Sequence, residues 1–152
     1  MKFLIQRVKK ASVEIESAIY SEIQKGYLVL VGITGDDTKE IADKMIQKMV
    51  GLRIFEDENG KTNLSLNDVD GDLLIVSQFT LYADCKKGNR PSFVKSGNPE
   101  FAKEMYQYIL QKTREIYGKE IFKGQFGADM KISLINDGPF TIMLDSAEIC
   151  KG

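Results

Sequence analysis

The chain has 152 residues, is 43% hydrophobic and carries a formal net charge of −1, which fits a single domain over residues 1–152 with one core. A charge so near zero argues against a protein that grips nucleic acid by its overall field, although a local basic loop could still hold such a partner. The chain contains no histidine, which excludes a Ser-His-Asp or Cys-His apparatus and the usual histidine-bearing zinc sites.

Cys85 and Cys150 stand far apart, so reduced thiols are expected rather than a disulfide framework or a zinc site. Residues 2–8 alternate charged and apolar side chains, so no signal peptide is expected there. The longest apolar run, residues 27–31, falls far short of the about 20 residues that span a bilayer. The expectation is a soluble cytoplasmic protein with no membrane association.

Residues 3–8 and 12–16 read as two short strands, joined too closely for a crossover helix, with Lys9 and Lys10 at the turn of an antiparallel hairpin. Arg7 interrupts the first of them. Its residue type leaves open an outward-facing charge, the ordinary case, and a buried hydrogen-bonding role. Residues 26–33 are apolar on both faces and predict a central strand. Asp36, Asp37 and Thr38 then offer N-caps to a helix whose apolar stripe is Ile41, Met45, Ile46, Met49 and Val50.

Residues 52–55 predict a short strand, and residues 56–61 a polar turn ending in Asn-Gly. The carboxylates crowded there lack the ligand order of a calcium loop and read as a solvated turn. Leu64, Leu66 and Val69 lead into a buried strand at residues 73–76. Asn98 and Pro99 match an N-cap and first helical position, and Gly118 matches the stop, giving a helix of about five turns. Phe101, Met105, Tyr108, Ile109, Lys112 and Ile116 define its inner side. Residues 121–123, 130–135 and 140–144 predict strands, with Asn136-Asp137-Gly138-Pro139 between the last two. The order implies an α+β fold, a mainly antiparallel, curved or barrel-like β-sheet with two packed helices.

Chemistry concentrates where the strand at 73–76 runs into Ser77, Gln78, Phe79 and Thr80, because hydrogen-bonding side chains at a buried strand end need partners. Residue types leave two readings open, structural hydrogen bonding and a catalytic site, since no base stands at a recognisable spacing from either hydroxyl. Lys86, Lys87 and Arg90 follow on a Gly-Asn-Arg-Pro loop and make a cationic rim suited to phosphates. Gly138-Pro139 is ordinarily a hairpin turn. The same dipeptide also exposes carbonyls with no Cβ beside them, a main-chain wall that a ligand can approach closely.

Residues 77–84, SQFTLYAD, with 87–93, KGNRPSF, and then 136–139, NDGP, with Leu144-Asp145-Ser146, resemble the D-aminoacyl-tRNA deacylase family. The start agrees through Gln6-Arg7-Val8, Ala11-Ser12-Val13 and residues 28–32, so the resemblance covers essentially the whole chain. It implies a homodimeric, β-rich, metal-independent hydrolase without cofactor, a chiral proofreading enzyme. Such an enzyme removes D-amino acids, and glycine misattached to tRNA-Ala, from the 3′ end of tRNA.

The resemblance places Ser77, Gln78, Phe79 and Thr80 along the pocket, and sends Gly138 and Pro139, joined by a cis peptide, into the pocket of the opposite subunit. Arg7 then holds the Gly-Pro turn. Apart from the resemblance, Lys86, Lys87 and Arg90, and Lys95 with them, are candidate contacts for acceptor-end phosphates, against the ordinary reading of a solvated loop. Phe140 departs from the small apolar residue the family more often carries. The rival reading is a non-catalytic module that binds a nucleotide or amino acid in the same pocket.

Overall fold

The computed structural model describes residues 1–151, the side chain of Pro139 excepted. Its first strand, β1 (Lys2–Ile15), is one 14-residue element rather than the two expected. The hairpin turn lies later, at Glu16 and Ser17, whose φ values of 50° and 63° are both positive. It connects β1 to β2 (Ala18–Ile23) with Ile15 opposite Ala18. Two positive φ angles define the turn whose twist suits a tight hairpin, and it usually announces itself by Asn-Gly. Glu-Ser carries no such signal. Lys9 and Lys10 are exposed strand residues, and Lys9 is the extra residue where Val8 faces Asn136 and Lys10 faces Ile135.

The strand β3 (Gly26–Gly32) pairs antiparallel with the first half of β1, from Lys2 opposite Gly32 to Val8 opposite Gly26. It also pairs in parallel with β6 (Asp72–Ser77), which in turn pairs in parallel with β7 (Phe122–Lys123). Between β3 and β6 the chain makes α1 (Lys39–Gly51) and a small hairpin, β4 (Phe55–Glu56) with β5 (Thr62–Leu64). Between β6 and β7 it makes α2 (Pro99–Tyr117). Helical crossovers return the chain in the same direction, so this part of the curved sheet is parallel and the sheet as a whole is mixed. The last strand, β8 (Met130–Asp145), pairs with β1 along its length and runs into a third, short helix, α3 (Ser146–Ile149).

Alternation along the strands divides the apolar residues between two cores. Val8, Ala11, Val13, Ile23, Leu28, Leu74 and Val76 point into the barrel. Phe3, Ile5, Tyr27, Val29, Val31, Leu73 and Ile75 point to the other face, where Met45, Ile46 and Met49 of α1 and Met105, Tyr106 and Ile109 of α2 cover them. Both faces of β3 and β6 are thus buried, which is why those strands read as unbroken apolar runs. Across the closing side of the barrel, the Ser21 hydroxyl of β2 donates to the Lys123 carbonyl of β7 at 2.6 Å.

Local chemistry sets the helix ends. The Thr38 hydroxyl accepts the Ile41 N–H at 3.2 Å, and the Asn98 side chain accepts the Glu100 N–H at 2.9 Å. Gly118 closes α2 in the left-handed conformation at φ 79°, as expected of a C-terminal glycine. The Met1 ammonium is buried and donates to Asp37 and to the Ser146 hydroxyl, each at 2.8 Å, fastening the start of β1 to the loop before α1 and to α3.

Candidate active site

The parallel register puts Ser77, the last residue of β6, beside Val31. The Gln78 N–H donates to the Val31 carbonyl at 2.7 Å, after which the chain leaves the sheet in a 3-10 turn, Phe79–Tyr82. The turn lies against Gly32, where a Cβ would come within 2.9 Å of the Leu81 Cβ, so only glycine admits so close an approach.

Ser77 and Gln78 are half-buried, whereas Phe79 and Thr80 face solvent. The Gln78 side-chain amide donates to the Thr80 hydroxyl oxygen, leaving that hydroxyl engaged as an acceptor. Phe79 is 58% exposed, a large apolar area to leave to solvent. Its ring stands edge-on to Phe93 at 5.1 Å, and its carbonyl accepts the Ser96 hydroxyl at 3.0 Å.

Lys86, Lys87 and Arg90 are exposed on the loop that follows. Paired hydrogen bonds between Asp84 and Ser92, 2.7 and 2.9 Å, close the loop at its base, and the Asp84 carboxylate accepts the Lys86 N–H at 3.1 Å. Lys95 is placed differently, 3.7 Å from that same carboxylate. The loop that carries the three cations is thus tied at its base, through Asp84 with Ser92 and Phe79 with Phe93, to the turn that follows Ser77.

Gly138 sits elsewhere, and its setting corrects the hairpin-turn reading. Gln6 faces Thr141 and Val8 faces Asn136, so residues 137–140 all bulge from β8 opposite the single residue Arg7. Both halves of β8 pair with β1, and no turn separates two strands. Arg7 is 3% exposed, which overturns the outward-facing reading and fits the buried hydrogen-bonding one. Its Nε donates to the Asp137 carbonyl at 3.0 Å, Nη1 to the Ile54 carbonyl at 2.6 Å, and Nη2 reaches the Gly138 carbonyl at 3.5 Å.

The guanidinium lies 4.5 Å from the centroid of the Phe140 ring and 6.0 Å from that of Phe55, positions that favour a cation over an aromatic face. The larger residue at 140 therefore spends its volume against Arg7. The Asn136 amide donates to the Arg7 and Phe140 carbonyls at 3.1 and 3.2 Å and pins the two ends of the bulge. The expectation for Pro139 falls outside the described residues.

One chain does not bring Gly138 and Thr80 together. Ser77 is level with Val31 and Phe3, whereas Arg7 is level with Tyr27. That offset is about 13 Å along the strands, and β6 and β8 are a further about 14 Å apart across β3 and β1. Residues 56–61 form the expected turn. The Asp57 carboxylate accepts the N–H groups of Asn59 and Lys61, and these bonds, that of Lys61 foremost, hold its carboxyl below the usual range.

Among the described residues no group of three or more His, Cys, Asp or Glu side chains is placed to hold a metal, and no helix is long and apolar enough to cross a membrane. Sequence reasoning did not find Ser96 or the Ile54 carbonyl, since neither a lone loop serine nor a main-chain oxygen leaves a mark in sequence.

A family model described as D-Tyr-tRNA(Tyr) deacylase matches residues 4–145. The chain belongs to that family. The matched span of this D-Tyr-tRNA(Tyr) deacylase family member runs from β1 to the end of β8 and includes the β6 turn, the cationic loop and the Arg7-held bulge. A relative from Thermosipho melanesiensis named D-aminoacyl-tRNA deacylase is 48% identical over 98% of the chain and 99% of its own length. One of the same name from Flavobacterium johnsoniae is 52% identical over 96% and 97%.

Among solved structures, a c-Myc DNA Unwinding Element Binding Protein superposes with a TM-score of 0.90 at 41% identity, covering 95% of this chain and 98% of that one. A probable eukaryotic D-amino acid tRNA deacylase superposes at 0.84, with 94% and 97% covered. At 17% identity, that likeness speaks to the fold.

Proposed function

We propose that the chain hydrolyses the ester joining a D-amino acid to the 3′ end of tRNA, as a homodimer in which the Gly138 bulge of each copy enters the Ser77–Thr80 pocket of the other. The observation that carries this reading is the bulge itself. A buried arginine presents main chain at a point too distant from Ser77–Thr80 of its own chain to serve that pocket.

An aminoacyl ester is already activated. The enzyme has to position it and to stabilise the oxyanion that forms when water, or a neighbouring ribose hydroxyl, acts on it. No imidazole, metal or cofactor is needed for that. The first N–H groups of a helical turn have no partner within the turn, so those of Phe79 and Thr80 are the oxyanion donors, while Ser77 and Gln78 shape the pocket. Thr80 acts as a hydrogen-bonding wall. Its oxygen already accepts the Gln78 amide, and no base stands beside it to take a proton.

Chirality follows from sterics. With the ester and ammonium groups fixed, the two enantiomers exchange hydrogen and side chain at Cα. A main-chain wall at Gly138 and Pro139 excludes every L side chain whatever its identity, and its carbonyls accept the ammonium group. Glycine has nothing to collide, so glycyl-tRNA, including glycine misplaced on tRNA-Ala, is cleaved as well. Lys86, Lys87 and Arg90 hold acceptor-end phosphates, and the reaction takes place in the cytoplasm.

The test is to incubate the protein with D-tyrosyl-, L-tyrosyl- and glycyl-tRNA and follow ester loss, with sedimentation equilibrium run on the same preparation. Loss of the D and glycyl esters from a dimer is expected. Cleavage of the L ester, resistance of the glycyl ester, or full activity in a monomer contradicts the steric account, and binding without ester loss favours a non-catalytic module.

A further inference from the structure

A concavity of about 500 Å³ between the C-terminal half of α1 and α3 is lined by Lys44, Gln47, Lys48, Leu52, Arg53 and Ile149. All three of its cations are exposed, and among the described residues none forms an ion pair with a carboxylate. Arg53 is oriented by a neutral partner, donating to the Asn63 carbonyl at 2.8 Å and to the Asn63 side-chain oxygen. Asp68 feels its charge only as the last of several influences.

The C-terminal end of a helix favours a cation and accounts for Lys48 in the last turn of α1. It does not account for Lys44, which stands one turn after Glu40 and one turn before Lys48 in α1, or for Arg53 beyond the helix. Three like charges gathered round one hollow, none of them held in an ion pair among the described residues, invite a polyanion.

The position of the hollow matters. Arg53 precedes Ile54, whose carbonyl accepts the same guanidinium that reaches Gly138, so one side of the hollow follows directly on the support of the bulge, while its other side, α3, follows Asp145 opposite Lys2. We propose that the Lys44, Lys48 and Arg53 concavity binds backbone phosphates of the tRNA acceptor strand. It does so on the subunit that contributes the Gly138 bulge, opposite the Lys86, Lys87 and Arg90 loop of the subunit that contributes Ser77–Thr80. The inference rests on the dimeric reading above, and under it the two copies grip one acceptor end from both sides.

The experiment measures binding of an uncharged tRNA acceptor minihelix to the full-length protein by fluorescence anisotropy over a range of salt concentrations. Each lost phosphate contact lowers the slope of log affinity against log salt by about 0.7 to 0.9. The double variant Lys44→Ala/Lys48→Ala is expected to flatten the slope by about 1.5 and to weaken binding at least about tenfold at low salt. Lys44→Glu/Lys48→Glu weakens it further, and Lys103→Ala, exposed on α2, changes neither quantity.

Alanine at exposed helical positions favours the helix, so folding is not at stake in the double variant, and far-UV circular dichroism checks the charge reversal. An unaltered slope in both double variants, or weaker binding with no change of slope, overturns the inference. Failure of the unmodified protein to deacylate D-tyrosyl-tRNA strikes the functional reading instead. Uncharged RNA keeps the two outcomes separate.

Discussion

Arg7 and Gly138, 131 positions apart in sequence, meet through a guanidinium that the sheet buries and a carbonyl that a strand bulge exposes to it. The same cation serves the Ile54 and Asp137 carbonyls, and an unsatisfied buried acceptor costs about 1 to 3 kcal/mol. Arg7→Ala is expected to lower the unfolding free energy by about 3 kcal/mol and kcat/KM for D-tyrosyl-tRNA by about 100-fold. Arg7→Lys, which keeps the charge without the fork, is expected to fall between the two. Urea unfolding and deacylation rates on the same samples check this, and an active, fully stable Arg7→Ala would refute it.

Gly138→Ala separates recognition from folding. A Cβ at that position meets nothing closer than the Asn136 side-chain oxygen at 3.5 Å, an ordinary contact, so stability should change by less than about 0.5 kcal/mol. On the dimeric reading proposed above, a methyl group added to this wall should nevertheless lower kcat/KM about 100-fold. Kinetics matching the parent protein would remove Gly138 from the pocket.

Thr80→Val tests whether the hydroxyl reacts or only lines the site. With the Gln78 amide already donating to it, the expected outcome is a kcat within about tenfold of the parent and a raised KM. A fall of about a thousandfold in kcat at constant KM would make Thr80 the nucleophile.

Asp37→Asn removes one half of a buried ion pair with the Met1 ammonium and weakens the acceptor for the Thr34 N–H, 2.8 Å away. Breaking such a pair from one side costs about 3 to 5 kcal/mol. Thermal unfolding should show a Tm lower by about 10 °C. A shift of only one or two degrees would mean that the pair contributes little.

Alkaline pH should weaken the fold through its phenols. Burial pushes Tyr27, Tyr82, Tyr106 and Tyr117 above the usual phenol range, and a hydrogen bond to Asp43 pushes Tyr108 up to about 12. These groups ionise later in the folded chain than in the unfolded one. Their stabilisation is whole below about pH 10 and is lost as pH rises through the folded values. Unfolding free energies measured on either side of pH 10 should fall on the alkaline side. Tyr106→Phe, which deletes a 2.6 Å bond to the Ile75 carbonyl, should fall less steeply. Equal slopes would leave Tyr106 out of the effect.

What could be read in advance was short in range. Asn98, Pro99 and Gly118 mark α2 because capping acts within one turn, and β3 declared itself by apolar residues on both faces. The errors came from long-range pairing. Lys9-Lys10 resembled a break because charge interrupts the apolar pattern, yet β8 pairs along the whole of β1 and carries it straight past. Gly138-Pro139 resembled a turn because the dipeptide punctuates chains locally, whereas the uninterrupted partner strand makes it a bulge. The Ser77–Thr80 turn was legible as a polar end on a buried strand. Its support from Ser96 and Gly32 was not, because that depends on which segments the fold lays together.

The bulge has another consequence. Among the described residues of a single chain β8 pairs with β1 alone, which leaves its far side an open edge, and a long flat edge of unpaired main chain templates fibril growth. Residues 137–140 bend that edge midway and leave two shorter stretches that a stray strand cannot follow across the kink. Shortening the bulge would therefore give a chain more prone to edge-to-edge assembly.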